Sequence, residues 1–590
     1  MKLETGRLVK TGAALVCVLL AGGLAYWFLV RPPADTPAAL KKRWAGLGVE
    51  KPNVVLITLD TTRADHLGCY GYRLATPNAD ALAGQGVLFA HASSVAPLTL
   101  PAHSSILTGM QPTYHGVRVN GNTALGQSQE TLAEVLSNVG YETGAFVGAF
   151  VLDGRWGLNQ GFEHYDDRFD LKKYKHLDLG TVQRPGNEVM DAALAWLEGR
   201  KQGPFFAWIH LYDAHTPYEP PEPFLSKNRG RGLTDLYDGE IAFADEQVGR
   251  CVSWLRANGI DQKTVLVVIG DHGEGLGSHG EGTHGYFLYD YATRVPFLVV
   301  TPFAELRGIR VDSQVSSVDV FPTVLGLCGI GGGPRVQGRS LLPVMFHPRS
   351  SAETYAYAES MTPNLQFGWS ALHSLRSNRY KLIQAPRPEL FDLSADPGEE
   401  TNVFDRNPAV ASRLSARLDR LKAETSQDAP APEAADLDQE TLQRLAALGY
   451  IGAPVSPRTS DEEASLADPK DKLRVFTAVQ EAGERIVNDD YAAAARTLES
   501  ALREDPKMPQ ALLMLGGAYS ELGRNQAAKA QFDLVLKDDP KSVQALVGMA
   551  SLLMKEGKTG EVVALCKRTL SLDEQNTQAF ALLGEVYTGQ

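Results

Sequence analysis

Between residues 51 and 403, apolar runs of strand length alternate with segments whose apolar positions recur at helical spacing. Runs such as 53–60 (NVVLITLD), 204–213 (PFFAWIHLYD), 264–271 (TVLVVIGD) and 294–302 (RVPFLVVTP) show no polar alternation. They therefore predict strands buried on both faces, in a mainly parallel α/β sheet sandwiched by helices. Ligands of such sheets bind beyond the carboxyl ends of the strands, where Asp60, Asp213 and Asp271 stand.

Outside this region the pattern changes three times. Residues 11–30 carry no charge, and a helix of that length, at about 1.5 Å per residue, spans the roughly 30 Å hydrocarbon layer of a membrane. Lys2, Arg7 and Lys10 precede the run, and Tyr26 and Trp27 sit near its far end, where amphipathic rings favour the interface. The run is longer than a usual signal core and no small-x-small site follows it, so it reads as an anchor rather than a cleaved signal peptide. This gives a single-pass membrane protein with a cytoplasmic N-terminus (1–10), a transmembrane helix (11–30) and a catalytic domain on the extracytoplasmic, periplasmic side. Residues 31–50, opening RPPADTPAAL, read as an extended Pro-stiffened linker to a catalytic domain at 51–405. Residues 406–470, rich in Ala, Pro, Asp, Glu and Ser from 424 onward, read as helix and linker, with one amphipathic stretch, ETLQRLAALGY.

Beyond residue 470 a repeat takes over. Asp505-Pro506, Asp539-Pro540 and Asp573-Glu574 recur every 34 residues, as do Ala511, Ala545 and Ala579, and Gly523 and Gly557. That period predicts the paired helices of a tetratricopeptide array over 471–590, with the chain stopping at Gln590 inside the first helix of a third repeat. Such arrays bind a protein partner or organise self-assembly.

With 590 residues the chain holds more than one core, and 44% hydrophobic and 22% charged residues describe an ordinary globular protein. A net charge of −13 without a long basic stretch argues against nucleic acid as a partner. The five cysteines have no metal-site or disulfide spacing.

The candidate chemistry lies at the strand ends. A carboxylate closing a buried strand, as Asp60 does, is costly unless it meets a cation or a full set of hydrogen bonds. Asp271 and His272 in GDHGE stand side by side at another strand end, a pairing suited to a divalent ion. In PLTLPAHSSILTG, Thr99 opens a proline-defined turn into a helix, a placement that can aim its hydroxyl at an anion or simply cap the helix. Metal coordination would favour its alkoxide.

NVVLITLDTTRADHLGCYGY, PLTLPAHSSILTG, GYETGAFVGAF, IHLYDAHTPYEPP, GDHGEGLGSHG and SVDVFPTVLGLCGI, in this order, resemble the sulfatase branch of the alkaline phosphatase superfamily. ELFDLSADPGEETNV is similar to the end of that family's small C-terminal sheet. The resemblance implies Asp60, Thr99, Asp271 and His272 around one divalent metal (zinc, manganese or calcium), with Thr99 as nucleophile. It implies that His215 touches the transferred group or protonates the leaving oxygen, and that Asn120 donates to a non-bridging oxygen. His103, His279 and His284 are further substrate-side candidates, His284 standing where many sulfatases have lysine. Asp213, His215 and His284 are the candidate second metal site.

Two departures redirect the expected reaction. Sulfatases convert a Cys or Ser to formylglycine, and Thr99 cannot become that aldehyde; Thr61 also replaces the second aspartate of the usual pair. A threonine nucleophile is more like the phosphodiesterases and phosphoethanolamine transferases of the superfamily. The expectation is a metal-dependent hydrolase of phosphate or sulfate esters, phosphoester preferred, in which Asn120 and the amides after Thr99 steady the equatorial oxygens. The alternatives are a transferase passing a phosphoryl-linked group to a surface lipid or glycan, and a membrane-anchored repeat scaffold with an inactive hydrolase domain.

Overall fold

The computed structural model describes residues 35–121, 123–170, 182–228, 232–349, 353–433, 465–573 and 576–589. The transmembrane expectation at 11–30 and the ETLQRLAALGY stretch lie outside them. Among the described residues no helix is long and apolar enough to cross a membrane.

The apolar runs pair into an eight-stranded sheet. Its spatial order is Ile309–Val311, Val87–Phe89, Phe297–Val300, Thr264–Gly270, Asn53–Leu59, Phe205–Leu211, Glu142–Phe146 and His164–Asp166. Phe297–Val300 runs antiparallel to both neighbours and the other pairs are parallel. Every residue of the three central strands is buried, which is why they lack alternation. Helices cover both faces. Thr99–Thr108 lies on one, in the core that holds Leu100, Ile106 and Leu107, and Gly186–Glu198 with Leu233–Ala257 on the other.

A four-stranded antiparallel meander, Ala356–Ser360, Leu372–Arg376, Tyr380–Gln384 and Glu389–Asp392, forms a separate sheet. The helix Pro408–Ser426 buries Leu414 and Leu418 against it. Glu433 then bridges to Ala124 in the main domain. The catalytic unit thus runs past residue 405, to the end of this described segment.

The linker expectation at 31–50 also needs correction. Pro37–Gly46 is a helix, started by the Thr36 side chain accepting from Ala39 N and by Pro37 in its first turn, a favourable start because proline's fixed φ suits the helix and its missing N–H would be unpaired there. Leu40 and Trp44, one turn apart, are fully buried, and Trp44 Nε1 donates to Leu327 O at 2.7 Å. A sequence that looks like a spacer is the first element of the core.

The repeats form three helical pairs, Leu473–Val487 with Tyr491–Glu504, Pro509–Glu521 with Asn525–Asp538, and Val543–Lys555 with Thr559–Leu572, followed by Thr577–Thr588. The first pair precedes the periodic signal. Its inter-helix turn uses Asp489 in the left-handed region (φ 60°), where Gly523 and Gly557 serve the later turns. The aligned glycine is therefore missing from the sequence although the turn is present.

Candidate active site and metal centre

Strand register builds the site. Leu59 lies beside both Leu211 and Gly270, so the residues that follow emerge together at one edge of the sheet. Asp60 N donates to Leu211 O at 2.9 Å and Asp271 N to Leu59 O at 3.2 Å, which fixes the two aspartates side by side. Gly273 turns the chain away beneath Tyr291, whose carbonyl a Cβ at Gly273 would strike. Thr61 adopts a left-handed φ of 46°, unusual for a β-branched residue. That conformation lets its amide donate to Asp271 Oδ1 at 3.1 Å, alongside His272 N at 2.6 Å.

One oxygen of each aspartate has no donor. Asp60 Oδ2 is held by His210 Nε2 at 3.0 Å, but Asp60 Oδ1 and Asp271 Oδ2 are buried without a hydrogen-bond partner. His272 Nδ1 faces Gly273 O at 3.0 Å. Since a carbonyl only accepts, Nδ1 carries the proton and Nε2 presents a lone pair. Among the described residues, Asp60, Asp271 and His272 are the one set of three His, Cys, Asp or Glu side chains whose ligand atoms lie within 4.8 Å of one another. Burial pushes both carboxyls upward, and for Asp271 the neighbouring Asp60 charge adds to the push. Two orphaned carboxylate oxygens beside an imidazole lone pair fit a divalent cation, which would relieve both the missing hydrogen bonds and the repulsion.

The helix Thr99–Thr108 enters at this point, with Thr99 as its first residue. Thr99 Oγ1 is 3.2 Å from His272 Nε2, on the open side of that lone pair. Asn120 Oδ1 accepts from Leu100 N at 3.0 Å, which leaves the Asn120 NH2 as its free end. The Asn120 loop is tied to the small sheet by Arg118, whose guanidinium grips Glu359 at 2.6 and 2.5 Å. The expected amide cradle after Thr99 is not there: Leu100 N is taken by Asn120, Pro101 has no N–H, and Ala102 N donates to Leu98 O at 3.1 Å.

The histidines divide into three kinds. His284 Nδ1 lies 3.3 Å from Glu274 Oε1. Burial alone would lower its pKa, but the charges of Glu274, Asp60 and Glu281 push it up to about 9, making it the cation of the site. His215 is neutral, lowered by burial and then by the His284 charge. Its Nδ1 donates to Thr216 O at 2.6 Å, so Nε2 is an acceptor, with the ring 5.0 Å from that of His284. His103 is not a substrate contact. It is fully buried, donates from Nδ1 to Thr99 O at 2.8 Å, and accepts at Nε2 from Thr58 Oγ1 at 3.0 Å, tying the Thr99 helix to the central strand. His279 is also engaged elsewhere, stacked on Tyr289 at 3.8 Å and bonded to Gly398 O at 3.0 Å.

Asp213, His215 and His284 do not assemble a second cluster of ligand atoms. Asp213 turns to the helix Gly186–Glu198 and accepts from Gly186 N at 2.8 Å through Oδ1. Two residues of the site escaped the sequence reading, His210 and Glu274. Each had a signal: His210 is a polar side chain inside an uninterrupted buried strand, and Glu274 follows the DHG turn by one residue.

Three family models match parts of the chain. Residues 52–330 match the Sulfatase family model, residues 282–424 match the C-terminal domain of N-sulphoglucosamine sulphohydrolase, and residues 488–552 match the Tetratricopeptide repeat. The chain is 27% identical over 419 residues to an ulvan-active sulfatase from Formosa agariphila, covering 63% of this chain and 81% of that protein. It is also 27% identical to an arylsulfatase from Clostridium perfringens, covering 63% of this chain and 93% of that one. The fold is shared with the phosphonate monoester hydrolase of Agrobacterium radiobacter at a TM-score of 0.53 and 21% identity, over 64% of this chain and 96% of that one. A second solved structure, in complex with its substrate D-glucosamine-2-N,6-O-disulfate, superposes at a TM-score of 0.54 with 21% identity, over 64% and 99%.

Proposed function

Residues 52–330 belong to the sulfatase family, with a tetratricopeptide array at the C-terminal end of the chain; from that premise we propose that the protein is an ester hydrolase in which Thr99 is the nucleophile, acting on phosphate esters in preference to sulfate esters. The reading is carried by one observation: Asp60 Oδ1 and Asp271 Oδ2, both without hydrogen-bond donors, cluster with His272 Nε2, whose one neighbouring donor is the Thr99 hydroxyl at 3.2 Å. Asp60, Asp271 and His272 would hold a divalent cation, which would lower the pKa of that hydroxyl and compensate charge on the transferred group.

The chain's own residues then divide the work. Thr99 Oγ1, as the alkoxide that the bound cation would favour, forms a bond to the phosphorus or sulfur as the bond to the ester oxygen breaks. His284, cationic and anchored through Nδ1 to Glu274, gives its Nε2 proton to the leaving oxygen. His215 offers an acceptor at Nε2 rather than a proton, which moves the acid role assigned from sequence onto His284. The Asn120 NH2 donates to a non-bridging oxygen in place of the absent helix amides. Water displaces the group from Thr99, and His284 recovers a proton from that water. Threonine yields no aldehyde on oxidation, so the hydroxyl acts as such, and this favours phosphoryl chemistry. With residues 11–30 as a membrane anchor, the substrates are esters at the outer face of that membrane.

The test is turnover of para-nitrophenyl phosphate, bis(para-nitrophenyl) phosphate and para-nitrophenyl sulfate by the metal-loaded chain. Thr99→Ala is expected to abolish turnover and the mass increment of a covalent intermediate, and Thr99→Ser to retain both. Undiminished turnover by Thr99→Ala overturns the assignment, and sulfate turnover alone overturns the phosphoester preference.

A further inference from the structure

His284 sits on a loop that the repeats hold. The loop leaves the Thr264–Gly270 strand, folds back on itself through Gly275 N to Thr283 O (2.7 Å) and Gly277 N to Glu281 O (2.8 Å), and passes through His284 into the apolar run Tyr286–Tyr289. Glu281 braces it from inside, accepting from Tyr286 N at 2.9 Å and Tyr291 Oη at 2.6 Å. Gly285, at φ 96°, is fixed by Ser360 Oγ donating to its carbonyl at 3.2 Å.

The other support comes from the first helix of the array. Tyr286 is fully buried and stacks on Phe476 with ring centroids 4.2 Å apart and planes at 23°. Its hydroxyl donates to Pro469 O at 2.7 Å. Thr283 Oγ1 reaches Gln480 Oε1 at 3.4 Å. Trp369 Nε1 donates to Asp505 Oδ2 at 2.9 Å, and Lys472 pairs with the same carboxylate at 3.0 Å. The recurring Asp of the first repeat boundary is thereby spent on the catalytic domain. The run that follows His284, Tyr286–Tyr289, shares one apolar cluster with Val475, Phe476 and Val479 of the helix Leu473–Val487. A free partner-binding array would not bury aromatic residues of an active-site loop.

We propose that the helix Leu473–Val487 is a positioning element of the active site, in which Phe476, through its stack on Tyr286, holds the loop that aims His284 at the leaving group. The inference rests on the place of His284 in the proposed site, its ring centroid 4.5 Å from that of His272 and 5.0 Å from that of His215. The remaining repeats extend from this helix, so a ligand that shifts the array acts on turnover through the same contact. Displacement of a catalytic group by about an ångström costs up to roughly a hundredfold in rate, and residues acting through one contact are non-additive.

The experiment is a double-mutant cycle on the full chain with bis(para-nitrophenyl) phosphate and para-nitrophenyl sulfate, measuring kcat and KM separately. Phe476→Ala is expected to lower kcat about tenfold or more with little change in KM, and to add less than about twofold in a His284→Ala background. Leu553→Ala, in the distal helix Val543–Lys555, is expected to leave kcat unchanged. If Phe476→Ala loses helical circular dichroism, Phe476→Leu reads the same cycle by removing the ring stack on Tyr286 while keeping an apolar side chain. Undiminished kcat in a folded Phe476→Ala, or an equal loss with and without His284, overturns the coupling alone. An unaltered kcat in His284→Ala overturns the role of His284, and with it this route to the active site.

Discussion

His210 Nε2 donates to Asp60 Oδ2 across 3.0 Å, and its tautomer is set from behind by Gly148 N donating to Nδ1 at 3.3 Å. Burial lowers the pKa of this histidine to about 3, so it stays neutral and keeps its proton on Nε2. One oxygen of Asp60 is thereby occupied and the other is aimed at the cation position. The pair is one device: strand register brings His210 beside Thr58, and Asp60 follows two residues later.

Removing that support loosens the site without touching a metal ligand. His210→Ala is expected to weaken divalent metal affinity by roughly 10- to 100-fold, as loss of partners that orient ligands generally does. Competition against a fluorescent chelator measures it, and unchanged affinity would show that Asp60 needs no support.

Metal removal leaves Asp60 and Asp271 facing each other, both carboxyls pushed up by burial. Metal and protons then compete for the same oxygens, so apparent metal affinity falls as pH drops below neutrality, with protons released on binding. A metal present at about 100 times its Kd should stabilise the fold by about 2.7 kcal/mol. Thermal melts with and without chelator at several pH values check both statements.

Glu240 gives a pH dependence that does not involve the metal. It is buried, accepts from Glu219 N at 2.8 Å, and is raised from its ordinary value of 4.5 to about 8, by burial first and then by Asp213. Because the folded-state pKa lies above the unfolded one, the stability tied to Glu240 is full below about 4.5 and is lost as pH rises through about 8. Glu240→Gln, which keeps an acceptor for Glu219 N, should therefore raise stability by roughly 1–3 kcal/mol at about pH 9 and have little effect at about pH 5. Chemical denaturation at the two pH values decides it.

Trp44 tests the docked N-terminal helix. Its side chain is fully buried and bonded to Leu327 O, so Trp44→Ala should destabilise the catalytic unit by about 3–5 kcal/mol. A shift in the denaturant midpoint of that unit measures the loss. A surface spacer would give none.

The sequence determined the features that depend on local order. Unbroken apolar runs require strands buried on both faces, and a polar residue closing such a run must lie at a sheet edge. That is why the strand-end positions of Asp60, Asp271 and His272 are legible in the sequence, and these three bring their ligand atoms within 4.8 Å of one another; the role of Thr99 came from the family resemblance instead. The 34-residue period likewise required stacked helical pairs.

Tertiary structure alone decided which histidine does what. His103, His215, His279 and His284 are one residue type in the sequence, but their backbone acceptors, ring stacks and neighbouring charges make one a strut, one a neutral acceptor, one a stacked surface residue and one a cation. Pairing in space also decided that Asp213 faces a helix start rather than a second metal, and that Asp489 replaces a turn glycine. It placed the first repeat helix behind the loop of His284, about 190 residues away along the chain. Protonation, tautomer and orientation are set by what lies within a few ångströms of a side chain, and for buried groups most of those neighbours are remote in sequence.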